Sequence, residues 1–423
     1  MKKVLFISFY HTSRPGGSFR PFPLTKYLLE FGWEPVILTP ELTVKIDTPL
    51  RIIGTPYRDA LGLWKKALGF QRDKPVRSQL KNKLGITSSK STTDKLLTFL
   101  EGLAGYPDFY RGWKPFALKA GEQLLRKEKM DAVISCAPMT SHIIAAKLVK
   151  KYKIPWLADF PDLWSQNHGY AYFWLRKRLD TRLEKNTLKV ARALVTISEP
   201  WAEKLRKLHP DKNVYMIPHG YDPDLFDTPA PPLTVKFTLT YTGIVYHQWQ
   251  HVSGFFGALR ELITEKTINP DDIEVRFYGS HDPFLQDEIV RFNLESIARQ
   301  YGKVPQNEAV TRQRESQVLL LLGWNDPQEK GVYTSKIFEY LGARRPVLVC
   351  GGGTDVVTEL LDKTRAGVYA FSQSEIKIAL HNLYRDYKVS QRVGYNGIEA
   401  EVSRYSHREM ARKFAEILNG ITG

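Results

Sequence analysis

The segment 333–352 carries the residues whose types and spacing best fit a chemical role. Thr334 and Ser335 have hydroxyls that can cap the free amides of a first helical turn. Lys336 and Glu339 are three residues apart, so they share one face of that helix near its N-terminus. A helix N-terminus and a cation attract phosphate, and a carboxylate accepts hydrogen bonds from sugar hydroxyls. The segment therefore predicts a binding site for a nucleotide-diphosphate sugar.

A purely structural role explains the same residues equally well. A glutamate in the first turn of a helix complements the helix dipole without any ligand. A reciprocal capping box needs a Ser or Thr three residues before Glu339. That position is Lys336, so a capping box is excluded. The local pattern alone leaves the phosphate site and the structural role open.

Further candidate residues follow predicted buried strands in both halves of the chain. In open parallel sheets, ligands bind beyond the carboxyl ends of the strands. The candidates at such positions are Gly16, Gly17, His142, Asp159, Asp162 and Trp164 in the first half, and Gly243 and Gly279 in the second. Their shared placement at strand ends predicts a cleft between two domains.

Each strand-end candidate also has an alternative interpretation. Gly16 and Gly17 let the backbone approach a ligand, but a simple turn fits as well, and the third glycine of a dinucleotide fingerprint is missing. His142 is predicted in the first turn of a helix at the cleft, where it can donate to a sugar or phosphate oxygen. A surface position or a hydrogen-bonded core position is the alternative for this histidine.

The stretch from Asp159 to Trp164 is typical of a wall in a carbohydrate site. Asp159 and Asp162 are three residues apart, and Trp164 follows two residues later. Carboxylates accept hydrogen bonds from sugar hydroxyls, and an aromatic face stacks on sugar C–H groups. Asp162 equally suits the start of a helix.

The elements that must position these residues alternate between strand and helix. Predicted strands are 4–9, 35–39, 132–136, 156–160, 193–197, 214–217, 237–242, 274–278, 318–322, 346–350 and 368–371. Predicted helices lie near 18–31, 115–128, 140–152, 171–190, 199–208, 251–265, 284–300, 307–316, 334–343, 374–387 and 405–419. This alternation predicts an α/β chain with parallel sheets covered on both faces.

The order of elements divides the chain into two tandem Rossmann-like domains. Four prolines in eleven residues (223–233) predict an interdomain linker. The first domain covers 1–218, with an insertion at about 57–115, and the second covers 235–395. The tail 396–423 is predicted to be a helix that packs back on the first domain.

Composition fits a globular protein of the reducing cytoplasm. Apolar residues make up 43% and charged residues 25% of the 423 residues. The longest apolar runs are too short to span a bilayer, and the N-terminus fits a buried strand better than a signal peptide. Cys136 and Cys350 stand inside strand-like runs, so no disulfide and no metal cluster are expected.

The net charge is +16, and part of it is concentrated in one segment, which suggests an anionic binding partner. Residues 57–127 hold 15 Lys and Arg against 6 Asp and Glu, interleaved with aromatics. This pattern fits an anionic membrane surface or a polyanionic substrate, and a solvated basic surface is the plain alternative. We expect the membrane surface, with a peripheral position on its cytoplasmic face. No nucleic-acid-binding motif is found, so nucleic acid is not expected.

Several motifs together resemble retaining glycosyltransferases of the large family numbered four, whose fold is called GT-B. The similar segments are 336–348 (KIFEYLGARRPVL), 217–222 (IPHGYD), 196–199 (TISE), 138–142 (PMTSH) and 156–164 (WLADFPDLW). The last two are similar to a subset that acts in surface polysaccharide assembly. The resemblance covers nearly the whole chain. It implies two Rossmann-like domains that face each other across a cleft.

The resemblance also implies roles for individual residues. Ser335 and Lys336 would hold the donor diphosphate, and Glu339 would bind the ribose. Gly16 and Gly17 would approach the donor phosphates or the acceptor, and His142 would contact the transferred sugar. The implied reaction is transfer from a nucleotide sugar to a glycan or lipid-linked acceptor, with retention, without a metal and without a further cofactor.

The chain departs from the family pattern at three places. Gly331 stands where many members have a sugar-binding glutamate, and Glu329 is out of step. The usual Arg and Lys after Gly243 are missing, so His247, Arg344 or Arg365 would have to substitute. Pro161 replaces the subset's usual arginine. A sugar-nucleotide epimerase of the same fold and a non-catalytic carbohydrate- or polyanion-binding protein therefore stay as alternatives.

Overall fold

The computed structural model describes residues 1–11, 20–41, 48–59, 105–167, 169 and 173–423. The chain forms two compact units. The first takes in the described residues up to Ile217 together with Ala411–Gly423, and the second takes in Pro218–Met410. Each unit is a parallel sheet with helices, which confirms the predicted α/β class of two Rossmann-like domains.

The first unit contains, within its described part, a seven-stranded parallel sheet in the order β3-β2-β1-β4-β5-β6-β7. Its strands are β1 (Lys2–Ser8), β2 (Trp33–Pro40), β3 (Arg51–Thr55), β4 (Ala132–Cys136), β5 (Trp156–Phe160), β6 (Ala193–Thr196) and β7 (Asn213–Met216). Its helices are α1 (Pro21–Leu28), α2 (Lys114–Lys127), α3 (Met139–Tyr152), α4 (Trp174–Leu188) and α5 (Glu199–Leu208). The central strands β4 and β5 are buried along their whole length, as continuous apolar runs in a covered parallel sheet should be.

The second unit contains a six-stranded parallel sheet in the order β10-β9-β8-β11-β12-β13, among the residues that the structure describes. Its strands are β8 (Phe237–Thr242), β9 (Ile273–Tyr278), β10 (Ala298–Gly302), β11 (Val318–Leu322), β12 (Val347–Cys350) and β13 (Gly367–Ala370). Its helices are α6 (Pro223–Phe226), α7 (Ser253–Thr264), α8 (Pro283–Arg291), α9 (Gln306–Glu315), α10 (Ser335–Ala343), α11 (Val356–Thr364), α12 (Gln373–Ser390) and α13 (Glu399–Val402). The strand order reverses between β8 and β11, so the carboxyl ends of these two strands form a topological switch point.

Several elements differ from the sequence prediction. The helix predicted near 284–300 ends at Arg291, and Ala298–Gly302 is strand β10 instead. Strand β3 and helix α11 were not predicted. Strands β3 and β10 lie at sheet edges and each has a single buried residue, so they lack the continuous apolar run that marks a central strand.

The predicted linker and tail are ordered parts of the fold. Tyr221 forms a β-bridge with Ser406, and residues 396–410 belong to the second unit. The C-terminal helix α14 (His407–Thr422) begins there, and its residues from Ala411 onward group with the first unit. Within that unit the Phe414 ring lies 5.0 Å from the Arg20 guanidinium.

Both cysteines and the apolar segments behave as ordinary core. Cys136 and Cys350 are free and buried in β4 and β12. In the described part of the chain, no helix combines the length and the apolar character needed to cross a bilayer.

Candidate functional site

Lys336 is the central residue of the candidate site in the second unit. It stands in the first turn of α10, whose first residue is Ser335 and whose cap is Thr334. The side chain is only 8% exposed, and its Nζ lies 5.3 Å from the Tyr241 ring centroid. Nζ donates a hydrogen bond to the Ile244 carbonyl at 3.1 Å. A buried ammonium at a helix N-terminus is suited to an anionic ligand.

Burial changes the acidity of this ammonium. Loss of solvation lowers the pKa of Lys336 to about 8, while the nearby Glu339 carboxylate opposes the shift. The charge is therefore held at neutral pH without a direct carboxylate partner among the described contacts. An anion that reached Nζ would stabilise the protonated form.

Two glycines allow the close packing beside Lys336. Gly243 follows β8 with φ +108°, and a Cβ there would lie 2.6 Å from Cε of Lys336. Gly279 follows β9, and a Cβ there would lie 2.3 Å from the carbonyl oxygen of Gly243. A side chain at Gly279 would push the two loops apart, and a side chain at Gly243 would displace the end of the Lys336 side chain. The structure thus packs Gly243 against both Lys336 and Gly279.

Glu339 lies one turn after Lys336 and is half-buried. Its Oε2 accepts a hydrogen bond from Gln313 Nε2 at 3.3 Å, and the same Gln313 nitrogen lies 2.9 Å from Thr242 Oγ1. Gln313 belongs to α9 and was missed by the sequence analysis, because nothing in its local pattern marks it. It fixes the Glu339 carboxylate near the carboxyl end of β8.

Thr334 caps α10 in its backbone conformation only. Its side chain accepts no hydrogen bond from the first turn, and its buried Oγ1 has no hydrogen-bond partner. The prediction that the Thr334 hydroxyl satisfies the first-turn amides is therefore wrong. The hydroxyl is left as an unused polar group beside Ser335 and Lys336.

A cavity of about 110 Å³ opens at the carboxyl ends of β8 and β9. Its wall includes Tyr241, Gly243, Ile244, Val245, Phe277, Tyr278, Gly279, Ser280, His281, Asp282, Pro283, Leu285 and Gln300. The mixture of aromatic walls and a few polar groups is typical of a small-molecule site. Its position beside the β8–β11 switch point is where ligands bind in open α/β sheets.

The proposed substitutes for the missing basic pair stand at three different places in the second unit. His247 pairs with the cavity residue Asp282 at 2.6 Å. Arg344 is the C-cap of α10 and pairs with Glu399, about 12 Å from Lys336 along the helix axis. Arg365 is the C-cap of α11. Because Arg344 and Lys336 lie at opposite ends of α10, Arg344 does not belong to the site around Lys336.

Glu329 does not simply replace the carboxylate expected at Gly331. It is 4% exposed, and its Oε1 accepts a hydrogen bond from the Gly331 amide at 3.0 Å. Glu329 and Asp355 line a cavity of about 320 Å³ beyond the ends of β11 and β12. Burial raises the pKa of Asp355 to about 6.

His142 lies in the first turn of α3, and its side chain is buried in the first unit, which is the core position that the sequence left open as an alternative. It is 2% exposed and stacks on Phe160 with ring centroids 4.4 Å apart. Its Nδ1 lies 2.7 Å from Ser135 Oγ. Burial lowers the pKa of His142 to about 3, so the ring is neutral at physiological pH. Its predicted contact with a sugar stays a prediction.

The predicted carbohydrate wall is also largely internal. Asp159 is fully buried and pairs with the equally buried Arg20 at 3.0 Å. Burial raises the pKa of Asp159, and the Arg20 charge opposes the shift. Trp164 is 2% exposed, so its face cannot stack on a sugar in this structure. Of the three wall residues, Asp162 alone is exposed.

The two glycines after β1 and the expected absence of a metal concern different parts of the chain. Gly16 and Gly17 lie outside the described residues. Among the residues that are described, no group of three or more His, Cys, Asp and Glu side chains could hold a metal ion.

Residues 99–225 match the family model described as Glycosyltransferase Family 4. This match supports the assignment of the chain as a glycosyltransferase. No curated protein matches the chain in sequence.

Solved structures share the fold over the whole chain. A sucrose-phosphate synthase from Thermosynechococcus elongatus superposes with a TM-score of 0.65 at 12% identity, covering 99% of both chains. HepE from Anabaena, solved with UDP and glucose, gives 0.62 at 12% identity and covers 99% of this chain and 100% of its own. A glycosyltransferase from Rickettsia africae gives 0.60 at 14% identity, covering 99% and 98%. These matches confirm the GT-B fold.

Proposed function

We propose that this glycosyltransferase moves a sugar from a nucleotide-diphosphate sugar to a glycan or lipid-linked acceptor, with retention and without a metal. The observation that carries the donor part is the buried Lys336 ammonium at the start of α10, packed against Gly243 in the loop after β8. This is an anion site at a topological switch point.

In this proposal, each residue of the site has one task. Lys336, the first-turn amides of α10 and the Ser335 hydroxyl hold the diphosphate. Glu339 accepts hydrogen bonds from the ribose, held in place by Gln313. The base enters the cavity beyond β8 and β9. Because HepE was solved with UDP and with UDP-glucose, uridine diphosphate is the first nucleotide to test.

The leaving diphosphate gains negative charge as the bond to the sugar breaks. A buried cation and a helix N-terminus stabilise that charge without reorganising, which is the task that a divalent metal has in other enzymes. The carboxylates of Glu329 and Asp355 supply acceptors for sugar hydroxyls that the missing glutamate at Gly331 does not. His142 and Asp162 stay candidates for contacts to the transferred sugar and the acceptor.

Product analysis with a panel of sugar nucleotides tests the proposal. The protein is incubated with each donor, with and without cell-envelope lipid extract, and the products are separated by mass and by stereochemistry. Transfer of the sugar, or slow release of free sugar with nucleoside diphosphate, supports a transferase. Isomerised donor without acceptor supports the epimerase alternative, and binding without any turnover supports the non-catalytic one.

A peripheral position on the cytoplasmic face of a membrane is a further part of the proposal. It is supported by the 15 basic against 6 acidic residues of 57–127, much of which lies outside the described part of the chain. Binding to anionic liposomes should weaken with salt and fall when Lys65, Lys66, Lys81 and Lys83 are all changed to Gln. Indifference of binding to lipid charge would remove this part.

A further inference from the structure

Helix α4 presents large apolar side chains to solvent. Trp174 is 68% exposed, and Leu175 and Leu179 are each 46% exposed. Three such residues within six positions of one helix form a contiguous patch, because 3.6 residues make a turn. Exposed apolar patches of this kind mark sites of contact with another surface.

The same face of α4 is cationic. At about 100° per residue, Trp174, Arg178, Arg182, Lys185, Leu175 and Leu179 fall within one arc of about 140°. All six are exposed. The two carboxylates of the helix, Asp180 and Glu184, are buried on the opposite side. The exposed arc therefore combines three cations with three large apolar groups and carries no acid.

Buried polar contacts fix which side of α4 faces outward. Arg176 Nε pairs with Asp180 Oδ2 at 2.8 Å, with both side chains almost fully buried. Glu184 Oε2 accepts the Ser165 amide at 3.0 Å, and its Oε1 lies 3.3 Å from His209 Nε2. Rotating the helix about its axis would bury the exposed cations and expose these pairs. The exposed face is thus a fixed feature of the fold.

Charge and side-chain type together select the partner. An amphipathic helix with Trp and Leu beside Lys and Arg lies in the interface of a bilayer, where the apolar groups reach the acyl chains. Cations near an anionic bilayer surface each add to the attraction. Nucleic acid would use the cations and stack on Trp174, but it has no use for the two leucines.

We propose that the exposed face of α4 is a docking surface for a lipid bilayer that carries anionic headgroups. The surface consists of Trp174, Leu175 and Leu179 with Arg178, Arg182 and Lys185. It rests on the proposed membrane association but lies outside 57–127, so it gives that association a second and separately testable contact. It does not depend on donor binding by Lys336.

Cosedimentation of the full-length protein with vesicles tests the proposal. The vesicles contain either phosphatidylcholine alone or phosphatidylcholine mixed with phosphatidylglycerol. One variant carries Trp174→Ser, Leu175→Ser and Leu179→Ser, and a second carries Arg178→Gln, Arg182→Gln and Lys185→Gln. Each should lower the partition coefficient on the anionic vesicles by about tenfold or more. Only the second should also remove most of the preference for the anionic lipid.

Matched controls keep the outcome specific. Lys147, Lys150 and Lys207 are exposed cations elsewhere in the same unit, and their change to Gln removes the same charge. This variant should bind within about twofold of the natural protein. An unchanged thermal shift with nucleoside diphosphate shows that the α4 variants are folded and separates this proposal from the proposed reaction.

Three results would overturn the docking surface. The natural protein fails to bind anionic vesicles, or the α4 variants bind them as well as the natural protein does. The third concerns nucleic acid, for which polyuridylate is the probe: the α4 charge variant loses binding to polyuridylate but keeps its binding to vesicles.

Discussion

At the scale of single residues, Lys336 is a cation in a place that disfavours its charge. Burial lowers its pKa from 10.5 to about 8. Between these two values the unfolded chain binds more protons than the folded one, so the contribution of Lys336 to the free energy of unfolding rises with pH across this range. Below pH 8 the folded protein carries a charge that a bound anion would stabilise.

This titration predicts the pH dependence of nucleotide binding. The affinity for a nucleoside diphosphate should fall by up to about tenfold per pH unit above pH 8, because binding requires the protonated amine. In Lys336→Gln the affinity should be weak and nearly flat from pH 7 to 10 by isothermal titration calorimetry. A parallel decline in the two proteins would show that another group is responsible.

Gly243 makes a second prediction at this scale. In Gly243→Ala, the new Cβ meets Lys336 Cε at 2.6 Å and must also adopt φ +108°. Gly302 is a matched control, since it has φ +81° and nothing within 4 Å of the added Cβ. We expect Gly302→Ala to lower the free energy of unfolding by about 1–2 kcal/mol without affecting nucleotide binding.

The Gly243→Ala variant should be less stable than Gly302→Ala and should bind nucleoside diphosphate at least about tenfold more weakly. Chemical denaturation and calorimetry measure the two effects. Equal behaviour of the two alanine variants would mean that the space beside Lys336 is not limiting.

The surroundings of the candidate residues could be predicted better in the second unit than in the first. Local sequence pattern was enough to place the candidates in glycine loops after strands, Gly243 and Gly279. The same holds for those at a helix start, Lys336 and Glu339. Asp159 could not be placed correctly, because its partner Arg20 is 139 residues away in the sequence. A carboxylate after a strand has the same pattern whether it meets solvent or a buried guanidinium.

At the scale of elements, the Arg20–Asp159 pair joins the start of α1 to the end of β5. Removing one partner of a fully buried pair leaves an uncompensated charge, so Asp159→Ala should lower the free energy of unfolding by about 3–5 kcal/mol. The double variant Arg20→Met, Asp159→Leu should recover much of this loss. Urea denaturation measures both.

Asp162→Ala serves as the control for this pair, because Asp162 is exposed and its loss should change stability by less than about 0.5 kcal/mol. A stability change for Asp159→Ala as small as that of the control would contradict the structural role. It would return Asp159 to the list of ligand-binding candidates.

Elements were predicted well where burial is continuous and poorly where it is not. Continuous apolar runs directly indicate the central strands β4, β5, β8 and β11. Edge strands β3 and β10 expose every second or third residue, so a pattern of apolar runs does not mark them. Helix α11 begins with a capping box from Asp355, and its cap partner Thr358 is not the Glu or Gln that usually marks this motif.

At the scale of the whole molecule, the proposed reaction uses protein charges in place of a metal. Transfer, once a donor is found, should therefore continue at an unchanged rate after dialysis against a chelator. Initial rates with and without added magnesium or manganese provide the measurement. A loss of activity on chelation that either metal restores would show that the diphosphate is held by a cation other than Lys336.

The division into two Rossmann-like units followed from the sequence, because the alternation of strand and helix stops and restarts. The exact boundaries did not follow from it. The prolines of 223–233 predicted a linker, yet this segment belongs to the second unit, and Tyr221 just before it pairs with Ser406. Such pairings between distant segments leave no local signal.

The most direct test of the central claim is thermal denaturation with a panel of nucleoside diphosphates and sugar nucleotides. At least one nucleoside diphosphate should raise the melting temperature of the natural protein, because a ligand that binds only the folded state stabilises it. Glu339→Ala should reduce this shift markedly, and Lys336→Gln should nearly abolish it. No shift with any member of the panel, or equal shifts in all three proteins, would contradict the assignment of the donor site.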